Sequence, residues 1–307
     1  MKIGFLFPGQ GAQSLGMGKD LYDKYEEYKN VYDEVEKITG VKVADLTFNS
    51  TEEEISQTKN TQICILTMSL AILKLLESKG IKAEASTGLS LGEYSALVAS
   101  KAISFEDGIK TVKTRGELMQ NLCPEGNWSM AAILGLDEET VVKICNETEG
   151  FVVPANFNCP GQIVISGEKD AVDKAMEGMK AAGAKRALEL KTSGPFHTVK
   201  LQEASNELRK ELDKIIINNF EHKVIKNLDG KEYEGSDDVK DILARHITNP
   251  VRFEQGIQEM FNMGIDTFVE IGPGKTLTGF VKKANKEVKT YSINNVESLE
   301  NALLELK

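Results

Sequence analysis

The chain is poor in the residues that build metal centres and disulfide frameworks. Its 307 residues include only four cysteines and three histidines. Cys64, Cys123, Cys145 and Cys159 are widely spaced and form no Cys-x-x-Cys pair. That pattern reads as free thiols in a reducing compartment. Three scattered histidines give no zinc constellation, so neither a metal nor a bound cofactor is expected. Basic residues are outnumbered as well, 37 Lys and Arg against 47 Asp and Glu, for a net charge of −10. This disfavours nucleic acid or an anionic membrane as the main partner. No apolar run reads as membrane-spanning, and residues 1–11 are too short and too broken by Gly and Pro for a signal peptide. The expected location is the cytoplasm. Internal repeats and low-complexity tracts are absent.

What is present alternates between strands and helices. Residues 2–7 read as a buried strand stopped by Pro8-Gly9-Gln10-Gly11. Residues 61–79 read as a helix, with Leu66, Leu70, Leu73 and Leu76 on one face and Gly80 at the C-terminal cap. A small-residue strand over 83–87, a helix after it and a further helix over 105–122 follow, the last closed by Pro124. Residues 128–134, 137–147, 151–156, 162–166, 169–182 and 185–190 then read as strand, helix, strand, strand, helix, strand. That order is a ferredoxin-like unit of roughly seventy residues, and it reads as an insertion. Beyond it come a helix near 199–214 and a buried strand over 267–271 that ends in Gly272-Pro273-Gly274-Lys275.

The segment richest in chemistry is Gly88-Leu89-Ser90-Leu91-Gly92. A Gly-x-Ser-x-Gly between a strand and a helix is a nucleophile elbow, which lifts the serine hydroxyl above the sheet at a helix N-terminus. A serine nucleophile needs a base, and three histidines are on offer. His222 lies in a polar, surface-like stretch, and His246 reads as a helix C-terminus with a dipole contact. His197 follows the rigid Ser193-Gly194-Pro195-Phe196 turn and precedes a helix, a placement that suits either a base or a capping histidine. Arg115 falls inside the apolar stripe of Val112, Met119 and Leu122, beside Gly116, which leaves room for a close approach. A guanidinium there must meet an anion, either an internal carboxylate or one carried by a substrate. The Gly-rich turns at Gln10 and at 272–275 fit no phosphate loop.

Taken together, Phe7-Pro8-Gly9-Gln10-Gly11, the elbow through Glu93-Tyr94, Arg115-Gly116, Asn156-Phe157-Asn158, Gly194-Pro195-Phe196-His197, Asn249-Pro250-Val251 and Glu270 to Lys275 closely resemble the malonyl-CoA:acyl carrier protein transacylases. The resemblance covers nearly the whole chain. It implies an α/β fold: an α/β-hydrolase-like core from 1–126 and 195–307, with a ferredoxin-like subdomain over 127–194. It implies Ser90 as nucleophile and His197 as base. Backbone N–H groups of Gln10 and Leu91 would form an oxyanion hole, and Arg115 would grip the malonyl carboxylate. The backbone carbonyl of Arg252 would orient His197, and Phe196, Asn156 and Asn158 would line the substrate pocket. Phe196 leaves little space for an α-methyl branch, a preference worth only about 1–3 kcal/mol. Two residues depart from the family's usual pattern, Leu89 where His is common and Arg252 where Gln is common. The implied substrate is malonyl-CoA, and the implied partner is phosphopantetheinylated acyl carrier protein. That partner is acidic, so an acidic enzyme needs a local basic patch, for which Lys185, Arg186 and Lys191 are candidates. The competing readings are a serine (thio)esterase, a non-catalytic carrier-protein binding module and a stand-alone acyltransferase of a polyketide pathway.

Overall fold

The computed structural model describes residues 1–191 and 194–306. Its strands form two sheets. They are β1 (Ile3–Phe7), β2 (Ala85–Gly88), β3 (Trp128–Leu134), β4 (Val152–Cys159), β5 (Gln162–Glu168), β6 (Arg186–Glu189), β7 (Lys223–Val224), β8 (Val251–Arg252), β9 (Thr267–Ile271) and β10 (Lys289–Ile293).

The large sheet runs β10-β9-β1-β2-β7, and every pair in it is parallel. Residues of β1, β2 and β9 are buried throughout, as in strands covered on both faces. Phe7 pairs with Gly88, and Leu6 with Glu270. The turns that follow β1, β2 and β9 therefore leave the sheet along one edge. The Pro8–Gly11 turn, the serine elbow and the Gly272–Lys275 turn converge there, at the carboxyl ends of parallel strands where α/β proteins place their sites.

The Thr58–Ser78 helix starts one turn earlier than its leucine spacing indicates, and Gly80 past its end takes the left-handed φ of 78°. At 21 residues it is long and apolar enough to cross a membrane, contrary to the reading that no run reaches that length. Nearly all of its side chains are buried in the core, as expected of a helix apolar all round. It packs on the Phe105–Asn121 helix, and the close approach inferred at Gly116 is this contact. A methyl group at Gly116 would lie 2.9 Å from Lys59 Cα and 3.3 Å from Lys59 O.

The small sheet runs β6-β3-β5-β4-β8. Its first four strands are antiparallel and carry the ferredoxin-like order, with helices Glu138–Glu147 and Lys169–Ala181 on one face. Ala131, Ile133, Ile163 and Ile165 point at those helices, while Met130, Ala132 and Val164 point at the large subdomain. The fold is thus an α/β-hydrolase-like subdomain with a ferredoxin-like insertion. Three strands lie outside the sequence reading: β7 and β10, at the two ends of the large sheet, and β8, which from far beyond the insertion adds parallel to β4 through Asn156 opposite Val251 and Phe157 opposite Arg252. Strand β8 stitches the small sheet to the segment that follows the Val239–His246 helix.

Gly116→Ala should lower stability by about 1–2 kcal/mol, because the Lys59 backbone cannot yield without moving the helix. Gly279→Ala, in the Thr276–Ala284 helix with nothing within 4 Å of an added methyl, should instead gain up to about 1 kcal/mol. Paired urea melts of the two variants check the contrast.

Candidate active site

The elbow is held by mutual contact of its glycines rather than by their φ angles. An added Cβ at Gly88 would overlap the Gly92 backbone, and one at Gly92 would overlap the Phe7 carbonyl. The left-handed turn is taken by Ser90 itself, at φ 54°. Among the described residues only Ser90, Lys101 and His197 combine a side chain with positive φ. Two of the three meet: Ser90 Oγ lies 2.8 Å from His197 Nε2. Such conformations cost on the order of 1–3 kcal/mol each and persist where the surroundings enforce them.

Several groups do the enforcing. Asn227 accepts the Ser90 N–H through Oδ1 at 2.7 Å and donates Nδ2 to the Gly88 carbonyl at 2.7 Å. His197, 4% exposed, turns Nδ1 toward the carbonyls of His246 at 3.0 Å and Asn249 at 3.2 Å. Two acceptors at Nδ1 place the ring proton there and leave Nε2 free to accept from the serine hydroxyl. The expected carbonyl of Arg252 is not among these acceptors. Arg252 is tied into β8, donating its N–H to the Asn227 carbonyl at 2.8 Å. Its guanidinium stacks on Phe157 at 4.1 Å from the ring centroid and pairs with Glu138 at 2.7 Å. The cation near His197 is Arg115 instead. Burial pushes the imidazole down to about 4, and the Arg115 charge pushes the same way, against the two carbonyls.

Arg115 is 1% exposed, yet among the described residues no carboxylate pairs with it. Nη1 donates to Gln62 Oε1 at 2.6 Å, and Nη2 donates to Ser90 Oγ at 3.0 Å. Its carbon lies 5.5 Å from the Tyr94 ring centroid. Nε is buried without a partner. The Nε and Nη2 edge is the fork that accepts a carboxylate through two parallel hydrogen bonds, and it faces the nucleophile. Burial alone lowers this guanidinium's pKa, and an incoming carboxylate would relieve that cost.

These groups open into a pocket of about 740 Å³ that Gln10, Asn156, Asn158, Phe196 and Met130 also line. Asn156 and Asn158 sit where β4 slips register against β5, and Asn158 Oδ1 is buried without a partner. The Gly272–Lys275 turn delivers Leu277 and Phe280 to the opposite wall. Among the described residues the backbone N–H groups of Gln10 and Leu91 have no acceptor in the protein. Leu89 lines the pocket as well. Ser193 of the turn before His197 lies outside the described residues. Of the three basic candidates, only Lys191 reaches the pocket. Arg186 pairs with Leu134, at the other end of β6 from the Leu190–Met130 hydrogen bond. Leu134 in turn pairs with Gln162, which lines the pocket, so Arg186 lies two strands away from it, about 10 Å. His222 lies at the far edge of the large sheet, hydrogen-bonded to Ser86 Oγ at 2.8 Å.

Gln62, Asn227, His246 and Asn249 went unnoticed as site residues in the sequence. Gln62 stands out in the sequence as a polar residue within an otherwise apolar helix. His246 was read as a dipole contact; its ring is wholly buried, 5.2 Å from that of His197.

The acyl transferase domain family matches residues 4–300 of the chain. A relative from Bacillus subtilis (strain 168), named malonyl CoA-acyl carrier protein transacylase, is 43% identical over 309 residues, covering 100% of this chain and 98% of its own. The crystal structure of malonyl CoA-acyl carrier protein transacylase from Clostridium perfringens superposes with a TM-score of 0.95 at 46% identity, covering 100% of this chain and 97% of that one. A malonyl-transacylase solved in complex with its type II PKS acyl-carrier protein superposes with a TM-score of 0.95 at 37% identity, covering 99% of this chain and 100% of that one.

The electrostatics of the site have a direct readout. In a proton–carbon NMR titration, the His197 ring, assigned through His197→Asn, should titrate near pH 4 instead of the usual 6.5. Arg115→Met should move that midpoint upward, because a cation that penalises imidazolium has gone. A wild-type midpoint at 6.5 or above contradicts the geometry.

Proposed function

Because this chain belongs to the acyl transferase domain family, we propose that it moves a malonyl group from malonyl-CoA to the phosphopantetheine thiol of acyl carrier protein, through a malonyl ester of Ser90. The observation that carries this reading is the unpaired Arg115 fork beside Ser90 and His197. A site built for simple ester hydrolysis has no use for a buried cation lacking an anion, whereas a malonyl thioester brings its own carboxylate.

The reaction runs in two halves. Ser90 Oγ attacks the thioester carbonyl as its proton passes to His197 Nε2. The tetrahedral oxyanion is received by the N–H groups of Gln10 and Leu91 at the pocket rim. Coenzyme A leaves with the proton from His197, and the malonyl ester stays on Ser90 with its free carboxylate on Arg115. The carrier-protein thiol then gives its proton to His197 and attacks the ester, and collapse of the second tetrahedral intermediate restores Ser90. Asn156, Asn158 and Phe196 would shape the acyl pocket they line, and the bulk of Phe196 would disfavour an α-branch. Lys191 at the mouth is the basic residue best placed for an acidic carrier protein, and Arg186, two strands from Gln162 of the pocket lining, would extend the same basic surface with Lys185. The malonyl carrier product feeds fatty acid chain elongation in the cytoplasm. The solved complex with a type II PKS carrier supports a second reading, a polyketide acceptor, and the relative transfer rates to the two carrier types separate them.

Intact-mass spectrometry after brief exposure to malonyl-CoA should show one malonyl adduct on the wild type, discharged when carrier protein is added, and none on Ser90→Ala. An adduct that persists on Ser90→Ala removes the assignment. Arg115→Ala should reduce malonyl transfer by on the order of 10²–10³-fold, the equivalent of about 3–4 kcal/mol for breaking a buried charge contact. Acetyl transfer, which presents no second carboxylate, should suffer far less; equal losses would make Arg115 a structural residue.

A further inference from the structure

Among the described residues no acidic side chain touches the imidazole of the Ser90–His197 pair, yet a carboxylate lies directly behind it. Glu93, in the first turn of the elbow helix Gly92–Ala99, is wholly buried. Its Oε1 accepts from Tyr233 Oη at 2.6 Å, and its Oε2 accepts from the Asn227 N–H at 3.0 Å. The same oxygen is 3.4 Å from His246 Nδ1. Among the described residues neither ring nitrogen of His246 has a hydrogen-bond partner, so Glu93 is the acceptor to which a small ring movement would deliver its proton. Burial, with the neighbouring His197 and Arg115, keeps that ring neutral, and a neutral imidazole carries one N–H that must be satisfied.

Both neighbours of Glu93 lead back to the chemistry. Asn227, held by Glu93 through its main chain, uses Oδ1 to fix the backbone of the nucleophile at 2.7 Å. His246, beside Glu93 through its ring, offers its own carbonyl to His197 Nδ1 at 3.0 Å. The contacts close a ring: Ser90, His197, His246, Glu93, Asn227 and Ser90 again. Ser90 and His197 both hold positive φ, and this ring ties one strained residue to the other. We propose that Glu93 is a positioning residue that replaces the acidic third member of a triad from one layer back, setting Ser90 through Asn227 and His197 through His246.

This inference rests on the assignment of Ser90 and His197, and the test keeps the two apart. Glu93→Gln preserves side-chain volume and removes the charge and one acceptor oxygen. Rapid-quench mass spectrometry would follow malonyl-Ser90 formation in wild type and variant, per mole of folded protein as judged by thermal melting. We expect acylation about 10- to 100-fold slower, the effect of small misplacements of reacting groups. The KM for malonyl-CoA should stay within about twofold, because no atom that touches substrate has changed. Acylation at the wild-type rate, or a loss carried by KM alone, overturns the proposal. Should Glu93→Gln fail to fold, His246→Gln keeps the orienting carbonyl and removes the ring. It should slow acylation about tenfold, and a wild-type rate in that variant overturns the proposal equally. Absence of any malonyl adduct on the wild type would be the failure of the Ser90–His197 assignment instead.

Discussion

A guanidinium buried beside a nucleophile, with no carboxylate paired to it among the described residues, governs the rest of this structure. An isolated charge in a protein interior is tolerated only where dipoles surround it. Arg115 has the Gln62 carbonyl, the Ser90 hydroxyl and the Tyr94 ring. Supplying Gln62 requires the Thr58–Ser78 helix to lie close against the Phe105–Asn121 helix, and Gly116, next to Arg115, is what permits the approach. The same charge reaches His197 and helps to keep the imidazole neutral. One side chain thus links the packing of two core helices to the protonation state of the base. It also leaves Nε open as a receptor for an anion.

The second constraint is crowding at the elbow. Gly88 and Gly92 are required because the β2 end, the helix start and the Phe7 carbonyl occupy the same small volume. The bend itself falls on Ser90. A serine forced to positive φ and held by Asn227 cannot wander through its alternatives, so its Oγ is presented to His197 and Arg115 together. The entropy of assembling the reactive group is met during folding, and no reorganisation remains for the moment of reaction.

Much of this was legible in the sequence because it left residue-type signals. Arg115 broke an apolar stripe, Ser90 stood between glycines, and Pro195 fixed the approach to His197. The helix and strand order of the insertion followed from periodicity, and β3 and β9 match their expected bounds residue for residue. What stayed hidden was carried by backbone atoms or by distant chain. Carbonyls have no letter in a sequence, so the groups orienting His197 were misassigned to Arg252, three residues beyond Asn249. Asn227 lies 137 positions from the serine it holds, and nothing local marks it. Lys185 and Arg186 are close to His197 in sequence but do not line the pocket, where Lys191 alone of the three stands.

The use of carbonyls in place of a carboxylate at His197 has a physical reason. A carboxylate touching the imidazole would stabilise imidazolium, but it would also lie near Arg115 and near the carboxylate that Arg115 is placed to receive. In a water-poor site an added negative charge there would repel that carboxylate. It would also draw on the guanidinium that the ligand needs. Neutral carbonyls fix the ring and its tautomer without either penalty. Moving the acid back to Glu93, behind His246 and Asn227, preserves a rigid frame while keeping its charge out of the pocket. Burial raises its pKa to about 7 despite Tyr233, Asn227 and the Arg115 charge, so much of that charge is absent near neutrality. Two demands conflict here, a steady base and a cation reserved for an anionic ligand. They are reconciled by one layer of neutral groups between the acid and the imidazole.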